Sequence, residues 1–295
     1  MSTSQPPTPV MRPAGRMSFL CGLFGAGIAG TRSPAMHEAE AAALGLRYVY
    51  RPIDFAVLGR DAAALPQMLD AAAALGFDGI NITHPFKQVV IPLLDAVSDD
   101  AGAIGAVNTV VFRGGRKTGH NTDWWGFAEN VRRFLPGAAL GRVVQVGAGG
   151  AGAAVAHALL TLGAQDLALH DLDARRAAAL VHALNARFGA GRARLAGDLD
   201  AELAGADGLV QTSPVGMQGH PGLPVPADSL HPPLWVADVI YFPLETELLR
   251  RARAAGCRTL DGGGMAVLQA AEALRLFTGA APDIGRMLRR FAELA

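Results

Sequence analysis

The sequence predicts an α/β protein with mostly parallel sheet, and three observations carry that prediction. Short apolar, β-branched runs alternate with helical patterns along most of the chain. One stretch, Arg142 to Asp171, holds a strand, a glycine turn, a helix and a second strand in that order. At 295 residues, 51% hydrophobic and 18% charged, there is apolar material for two domains.

The Arg142 stretch is the most specific. Val143, Val144 and Val146 form the apolar run of a buried parallel strand, which ends in Gly147-Ala148-Gly149-Gly150-Ala151-Gly152. Val155, Leu159 and Leu162 then share one helical face, Gly163 can stop the helix in the left-handed region, and Leu167 to Leu169 form the next strand. Asp171 closes that strand 19 positions past Gly152. A lone G-x-G-x-x-G means little in a chain with 36 glycines, but the ordered context makes this a Rossmann-type dinucleotide turn. Gly147 permits the tight turn, Gly149 lets the backbone approach a pyrophosphate, and Gly152 lets helix and strand pack closely. The phosphates meet unpaired N–H groups at the helix N-terminus, a seat that includes Ala148, Gly150 and Ala151. A carboxylate at Asp171 accepts hydrogen bonds from ribose hydroxyls and repels a 2′-phosphate, which favours NAD over NADP. The alternative is a helix–strand turn without a ligand.

Composition narrows the partners. With 26 basic and 26 acidic residues and no long basic run, nucleic acid and anionic membranes are excluded as main partners, leaving a small molecule. Cys21 and Cys257 sit in apolar surroundings without metal-ligand spacing, so both read as core side chains of a cytoplasmic protein and no metal is expected. Residues 17–30 follow Arg12 and Arg16 and faintly resemble a signal-peptide core, but the Pro-rich lead and missing cleavage site argue against one. No apolar run reaches the ~18 residues of a membrane span.

Residues 1–16 carry Pro6, Pro7, Pro9 and Pro13 among Ser, Thr and Gln and are expected to be a disordered tail. Phe19 to Phe24 is a predicted strand and Gly25 to Arg32 a loop. Ser33 is then expected as N-cap with Pro34 at the first helical position. Thr31 and Ser33 thus place two hydroxyls at a helix N-terminus, where a ligand carboxylate gains about 0.3 to 1 kcal/mol; ordinary capping is the alternative. Tyr48 to Ile53 is a strand, Ala62 to Leu75 a helix ended by Gly76, and Gly79 to Thr83 a strand, after which Pro85 is expected to start a helix with Lys87 in its first turn. Open α/β sheets bind ligands at such strand ends, although a solvated lysine reads the same way. Thr109 to Phe112 and Thr118 to Asn121 form a strand pair through Gly114-Gly115, and Asp123 opens a helix either as its cap or as a functional carboxylate. Beyond the glycine stretch, Gly208 to Gln211, Trp235 to Ile240 and Arg258 to Leu260 read as strands, and Gly264 to Ala295 as helical, with Met265, Leu268, Leu274 and Phe277 on one face.

Together these pieces resemble the shikimate/quinate dehydrogenase family from about Phe19 to the C-terminus. The resemblance rests on Thr31-Arg32-Ser33-Pro34, Asn81-Ile82-Thr83-His84-Pro85-Phe86-Lys87, Gly105-Ala106-Val107-Asn108-Thr109, Gly119-His120-Asn121-Thr122-Asp123, the glycine turn, and Asp261-Gly262-Gly263-Gly264-Met265 followed by Gln269. It implies a substrate domain over 17–123 completed by 264–295, with a nucleotide domain over 124–263 inserted between and a cleft separating them. It further implies that Thr31, Ser33 and Tyr241 hold the acid's carboxylate, that Thr83, Asn108, Asp123 and Gln269 meet ring hydroxyls, and that Lys87 and Asp123 form the catalytic pair. Gly264 would join the glycine turn and Asp171 at the cofactor.

Oxidising a secondary alcohol sends a hydride from carbon and a proton from oxygen, so a base must stand at that oxygen. A lysine beside a carboxylate suits that task. Biosynthetic shikimate dehydrogenases resemble one another in carrying Asn-Arg-Thr after the second Rossmann strand, where this chain has Asp171-Leu172-Asp173. Thr31 replaces the usual serine, and Gln211-Thr212-Ser213 replaces Asn-Ala-Thr. The chain therefore looks more like the NAD-using quinate/shikimate enzymes, with shikimate and quinate as expected substrates. Reduction of 3-dehydroshikimate by a biosynthetic enzyme and a silent NAD sensor are the competing readings. A homodimer stays open.

Overall fold

The computed structural model describes residues 18–294; the expected tail and Ala295 lie outside them. The first half of the chain contains β1 (Ser18–Gly25), α1 (Ser33–Ala43), β2 (Arg47–Asp54), α2 (Leu65–Ala74), β3 (Gly79–Ile82), β4 (Ala96–Val97), α3 (Asp99–Ile104), β5 (Thr109–Arg113) and β6 (Arg116–His120). Its strands form one sheet in the order β2-β1-β3-β5-β6-β4. β1 pairs in parallel with β2 and β3, whereas β5 runs antiparallel to both of its neighbours, β3 and its hairpin partner β6. Gly114 and Gly115, both at positive φ, make its two-residue turn without the steric penalty other residues meet there.

α4 (Thr122–Phe134) leads into β7 (Arg142–Val146), α5 (Gly150–Leu162), β8 (Asp166–His170), α6 (Ala174–Phe188), β9 (Ala193–Leu195), α7 (Leu199–Ala204), β10 (Gly208–Gln211), β11 (Trp235–Asp238), α8 (Glu247–Ala254) and β12 (Arg258–Leu260). The second sheet is parallel throughout, in the order β12-β11-β10-β7-β8-β9. The chain starts at β7, winds outward through β8 and β9, and crosses back to β10. The strand order therefore reverses between β7 and β10, the place where open α/β sheets take ligands. All of β10 and β11 is buried, as expected of strands covered on both faces.

The last elements, α9 (Gly262–Thr278) and α10 (Ile284–Glu293), tie the halves together. Met265 packs in the core that includes Val143 and Val155, while Ala273 and Phe277 pack with Phe19, Cys21 and Tyr50 of the first sheet. α9 also lies close on α4, because a side-chain carbon at Gly126 would stand 2.8 Å from the Gln269 backbone nitrogen. Among the described residues no helix is long and apolar enough to cross a membrane.

Four local expectations change. Pro85 starts no α-helix: turns cover residues 84–90 and a single 3-10 turn follows at Ile91–Leu93, where Pro92 lacks the N–H a continuing helix needs. The cap of α1 is Arg32 rather than Ser33, which is the first helical residue. The C-terminal helical stretch starts at Gly262 and breaks at Gly279, whose φ of 77° ends α9 in the left-handed region. The short β4, which forms an edge of the first sheet, and the helix α3 that follows it are unread in the sequence.

Candidate active site

Lys87 and Asp123 meet directly. The Lys87 ammonium donates to Asp123 Oδ2 at 2.7 Å, with side chains 23% and 10% exposed, so the pair is largely withdrawn from solvent. Lys87 comes from the turns after β3, where Phe86 is buried with its ring 4.5 Å from that of Phe55 and Val107 N–H donates to the Lys87 carbonyl at 2.8 Å. Asp123 lies in the first turn of α4. The cap there is Asn121, whose Oδ1 accepts from the backbone of Asp123 and Trp124 while its Nδ2 donates to the Ala106 carbonyl. Asp123 is therefore free of capping. Trp124 packs with Ala153 and Ala154 of α5, which sets the pair's helix against the one that opens at the glycine turn.

A buried polar chain runs beside the pair. Tyr50 donates to Asn81 Oδ1 at 2.8 Å, Asn81 Nδ2 donates to Thr109 Oγ1 at 2.9 Å, and Thr109 donates to Asn108 Oδ1 at 2.9 Å. Asn108 Nδ2 donates to the Thr122 hydroxyl at 3.0 Å, and that hydroxyl lies 3.5 Å from Gln269 Oε1. Each buried amide thus has partners, as a low-dielectric site requires. The sequence points to Asn108 and Gln269 but not to Tyr50, Asn81, Thr109 and Thr122 as members of this chain. The available signal was polar side chains in otherwise apolar strand positions, Asn81 between Ile80 and Ile82 above all.

Thr31 donates to Ser33 Oγ at 3.2 Å, and Ser33 N–H donates back to Thr31 Oγ1 at 3.3 Å, so the two hydroxyls form one cluster at the start of α1. Asp54 fixes the loop before them by accepting from the Gly27 and Ile28 amides. Thr83 packs its methyl over Gly25, where a side-chain carbon would collide with it. Tyr241 is 47% exposed on the loop after β11. Neither Thr83 nor Tyr241 shares a side-chain hydrogen bond with the other candidates.

The glycine turn has the shape a dinucleotide needs. Gly147 has a φ of 102° with the Ser213 backbone and Thr212 packed behind it. Gly149, the N-cap of α5, has open space where a side chain would stand, leaving its backbone approachable. At Gly152 a side-chain carbon would collide with the Gly147 carbonyl. From below, Gln145 Nε2 donates to the carbonyls of Gly147 and Gly152 at 2.9 Å each, and the Thr212 hydroxyl donates to those of Val146 and Gly147. The first amides of α5, among them Gly150, Ala151 and Gly152, have no partner within their own helix. Asp171 accepts from Ala148 N–H at 2.7 Å and Asp173 N–H at 2.8 Å, so its carboxylate is held at the rim of the turn. Arg176 approaches it to 3.7 Å, and Leu172 is 97% exposed beside it. Gly264 backs onto the Asn130 amide of α4, which leaves no room for a side chain there. No cluster of three metal-ligating side chains occurs among the described residues.

A doubly wound parallel sheet with a dinucleotide-shaped turn, joined to a second α/β sheet that supplies an ammonium–carboxylate pair, defines a nicotinamide-dependent oxidoreductase. The sequence profile of the shikimate dehydrogenase substrate binding domain matches residues 23–110. A shikimate dehydrogenase (NADP(+)) of Streptomyces avermitilis is 60% identical over 280 residues, 94% of this chain and 96% of that protein. A quinate/shikimate dehydrogenase (NAD(+)) of Corynebacterium efficiens is 50% identical over 94% of this chain and 99% of its own. The solved quinate dehydrogenase from Corynebacterium glutamicum, in complex with NAD, superposes with a TM-score of 0.89 at 50% identity, covering 94% and 99% of the two chains. The chain belongs to the shikimate/quinate dehydrogenase family.

Proposed function

We propose that this protein is an NAD-dependent quinate/shikimate dehydrogenase that reversibly oxidises the 3-hydroxyl of shikimate, quinate or both. The observation that carries this reading is the 2.7 Å contact between Lys87 and Asp123 beside the Asn108–Thr122–Gln269 chain. Residues 17–123 with 264–295 form the substrate lobe, and 124–263 form the nucleotide lobe. Thr31, Ser33 and Tyr241 hold the carboxylate, while Thr83, Asn108 and Gln269 orient the ring hydroxyls. Bound nicotinamide supplies the hydride acceptor. Lys87 and Asp123 take the hydroxyl proton as the alcohol becomes a ketone and return it in the reverse direction, a general acid–base contribution of roughly 10² to 10⁴ in rate. The Gly149 to Gly152 amides would seat the pyrophosphate, the Ala148 N–H being taken by Asp171, and Asp171 would meet the ribose hydroxyls, with the Gly264 backbone at the far edge.

Preference for NAD rests on the Asp171 carboxylate and on Leu172, which offers nothing to a 2′-phosphate. A second reading, NADP-linked reduction of 3-dehydroshikimate, is favoured by Arg176 beside Asp171 and by the name of the 60% identical Streptomyces relative. Turnover of both acids with NAD and with NADP, compared as kcat/KM, decides between them. Higher kcat/KM with NADP would overturn the NAD assignment, and no turnover of either acid would overturn the whole reading.

A further inference from the structure

We propose that Arg32 is a positioning residue, stacked between Phe291 and Phe242, that holds the Tyr241 loop over the Thr31–Ser33 turn. The proposal rests on the assignment of Thr31, Ser33 and Tyr241 to the acid's carboxylate. Those three residues come from two loops more than two hundred positions apart, so a shared ligand requires the loops at a fixed separation. Arg32 stands between Thr31 and Ser33, and its guanidinium carbon lies 5.1 Å from the centre of the Phe291 ring and 5.8 Å from that of Phe242. Its Nη1 is buried with no hydrogen-bond partner among the described residues, so the ring faces are what that side of the cation meets. A planar, weakly hydrated guanidinium suits two aromatic faces in a way an ammonium does not.

The two rings differ in what holds them. Phe291 is buried in a cluster with Met36 and Val267, and its helix is tied to α1 by the Arg286–Glu40 ion pair. Phe242 is 52% exposed on the loop that also carries Tyr241, immediately beside it. Arg32 and Phe291 are thus the fixed side, and the Tyr241 loop is the side being held.

The test uses the full-length enzyme and Arg32→Met, Phe242→Leu, Phe242→Trp and Arg32→Met/Phe242→Leu variants. Arg32→Met and Phe242→Leu are each expected to raise the KM for shikimate or quinate about five- to tenfold. The dinucleotide KM should stay unchanged, Phe242→Trp should retain the wild-type value, and the double variant should be no worse than either single one. Hydrogen exchange over residues 239–246, measured without ligand, should accelerate by a similar factor in Arg32→Met. Unchanged exchange overturns the clasp whether or not the acids are turned over. So does a large KM rise in Arg32→Met with none in Phe242→Leu, since Arg32 would then bind the acid itself. Failure of the wild type to oxidise either acid would remove the functional reading, while accelerated exchange would keep the loop contact.

Discussion

Glu40 of α1 and Arg286 of α10 form a double hydrogen-bonded ion pair, 2.6 Å at each contact, that closes the C-terminal helix onto the helix opening at Ser33. Glu40 is 1% exposed and accepts in addition from Asp283 N–H at 2.7 Å. Arg286 keeps about a third of its surface in water, so the pair's loss costs less than that of a fully buried one. Glu40→Ala is expected to destabilise by roughly 2 to 3 kcal/mol, read as a lower urea midpoint with an unchanged m-value. An unaltered midpoint would show that α10 docks through its apolar face alone.

Lys87→Met removes the ammonium and keeps the stem. A fall in kcat of about 10² to 10⁴ is expected for alcohol oxidation, with dinucleotide affinity unchanged by fluorescence titration. Near-normal turnover would take Lys87 out of the proton path.

Asp171→Asn combined with Leu172→Arg should raise the NADP-to-NAD ratio of kcat/KM by about tenfold or more. Asparagine keeps an oxygen for Ala148 N–H, and the exposed Asp173 N–H that loses its acceptor turns to water, so the turn survives while the charge that repels a 2′-phosphate is gone. A ratio that does not move would place cofactor choice elsewhere, with Arg176 the next residue to change.

Burial pushes the Asp238 carboxyl up to about 6, against hydrogen bonds from Ile240 N–H and the Thr246 hydroxyl that act the other way. Because the folded value lies above the ordinary carboxylate value, the folded state holds a proton that the unfolded chain releases between about pH 4 and 6. The stability from neutral Asp238 is therefore full below about pH 4 and lost as pH rises through 6. Asp238→Asn should remove this dependence, so that wild type gains on the variant by on the order of 2 to 3 kcal/mol between pH 7 and pH 4 in urea unfolding. Parallel stability curves for the two proteins would disprove it.

Much of the fold is legible in the sequence because its signals are local. The strand Arg258–Leu260 and the glycine turn are set by alternation, propensity and steric freedom within a few residues. The β5–β6 hairpin is equally local, since paired glycines supply the positive φ its turn needs. Pro85 misleads as a helix start because distant contacts shape the segment after it, Phe86 packing on Phe55 and the Lys87 carbonyl accepting from the Val107 amide instead of from the next helical turn. Asp123 is ambiguous in sequence, since a helix-opening aspartate caps as readily as it reacts. Asn121 takes the cap, and only the folded chain shows it.

The amino-acid order by itself determined most of the succession of strands and helices, the shape of the Gly147–Gly152 turn and the residues offered for chemistry. Tertiary structure decided which of those residues meet: Lys87 with Asp123 across 36 positions, Asp171 with the Ala148 amide, and α9 with the cores of both sheets. The division follows from range. Backbone sterics and periodicity act over about one helical turn, whereas contacts between distant segments are selected by how buried faces and polar partners fit once the chain is packed.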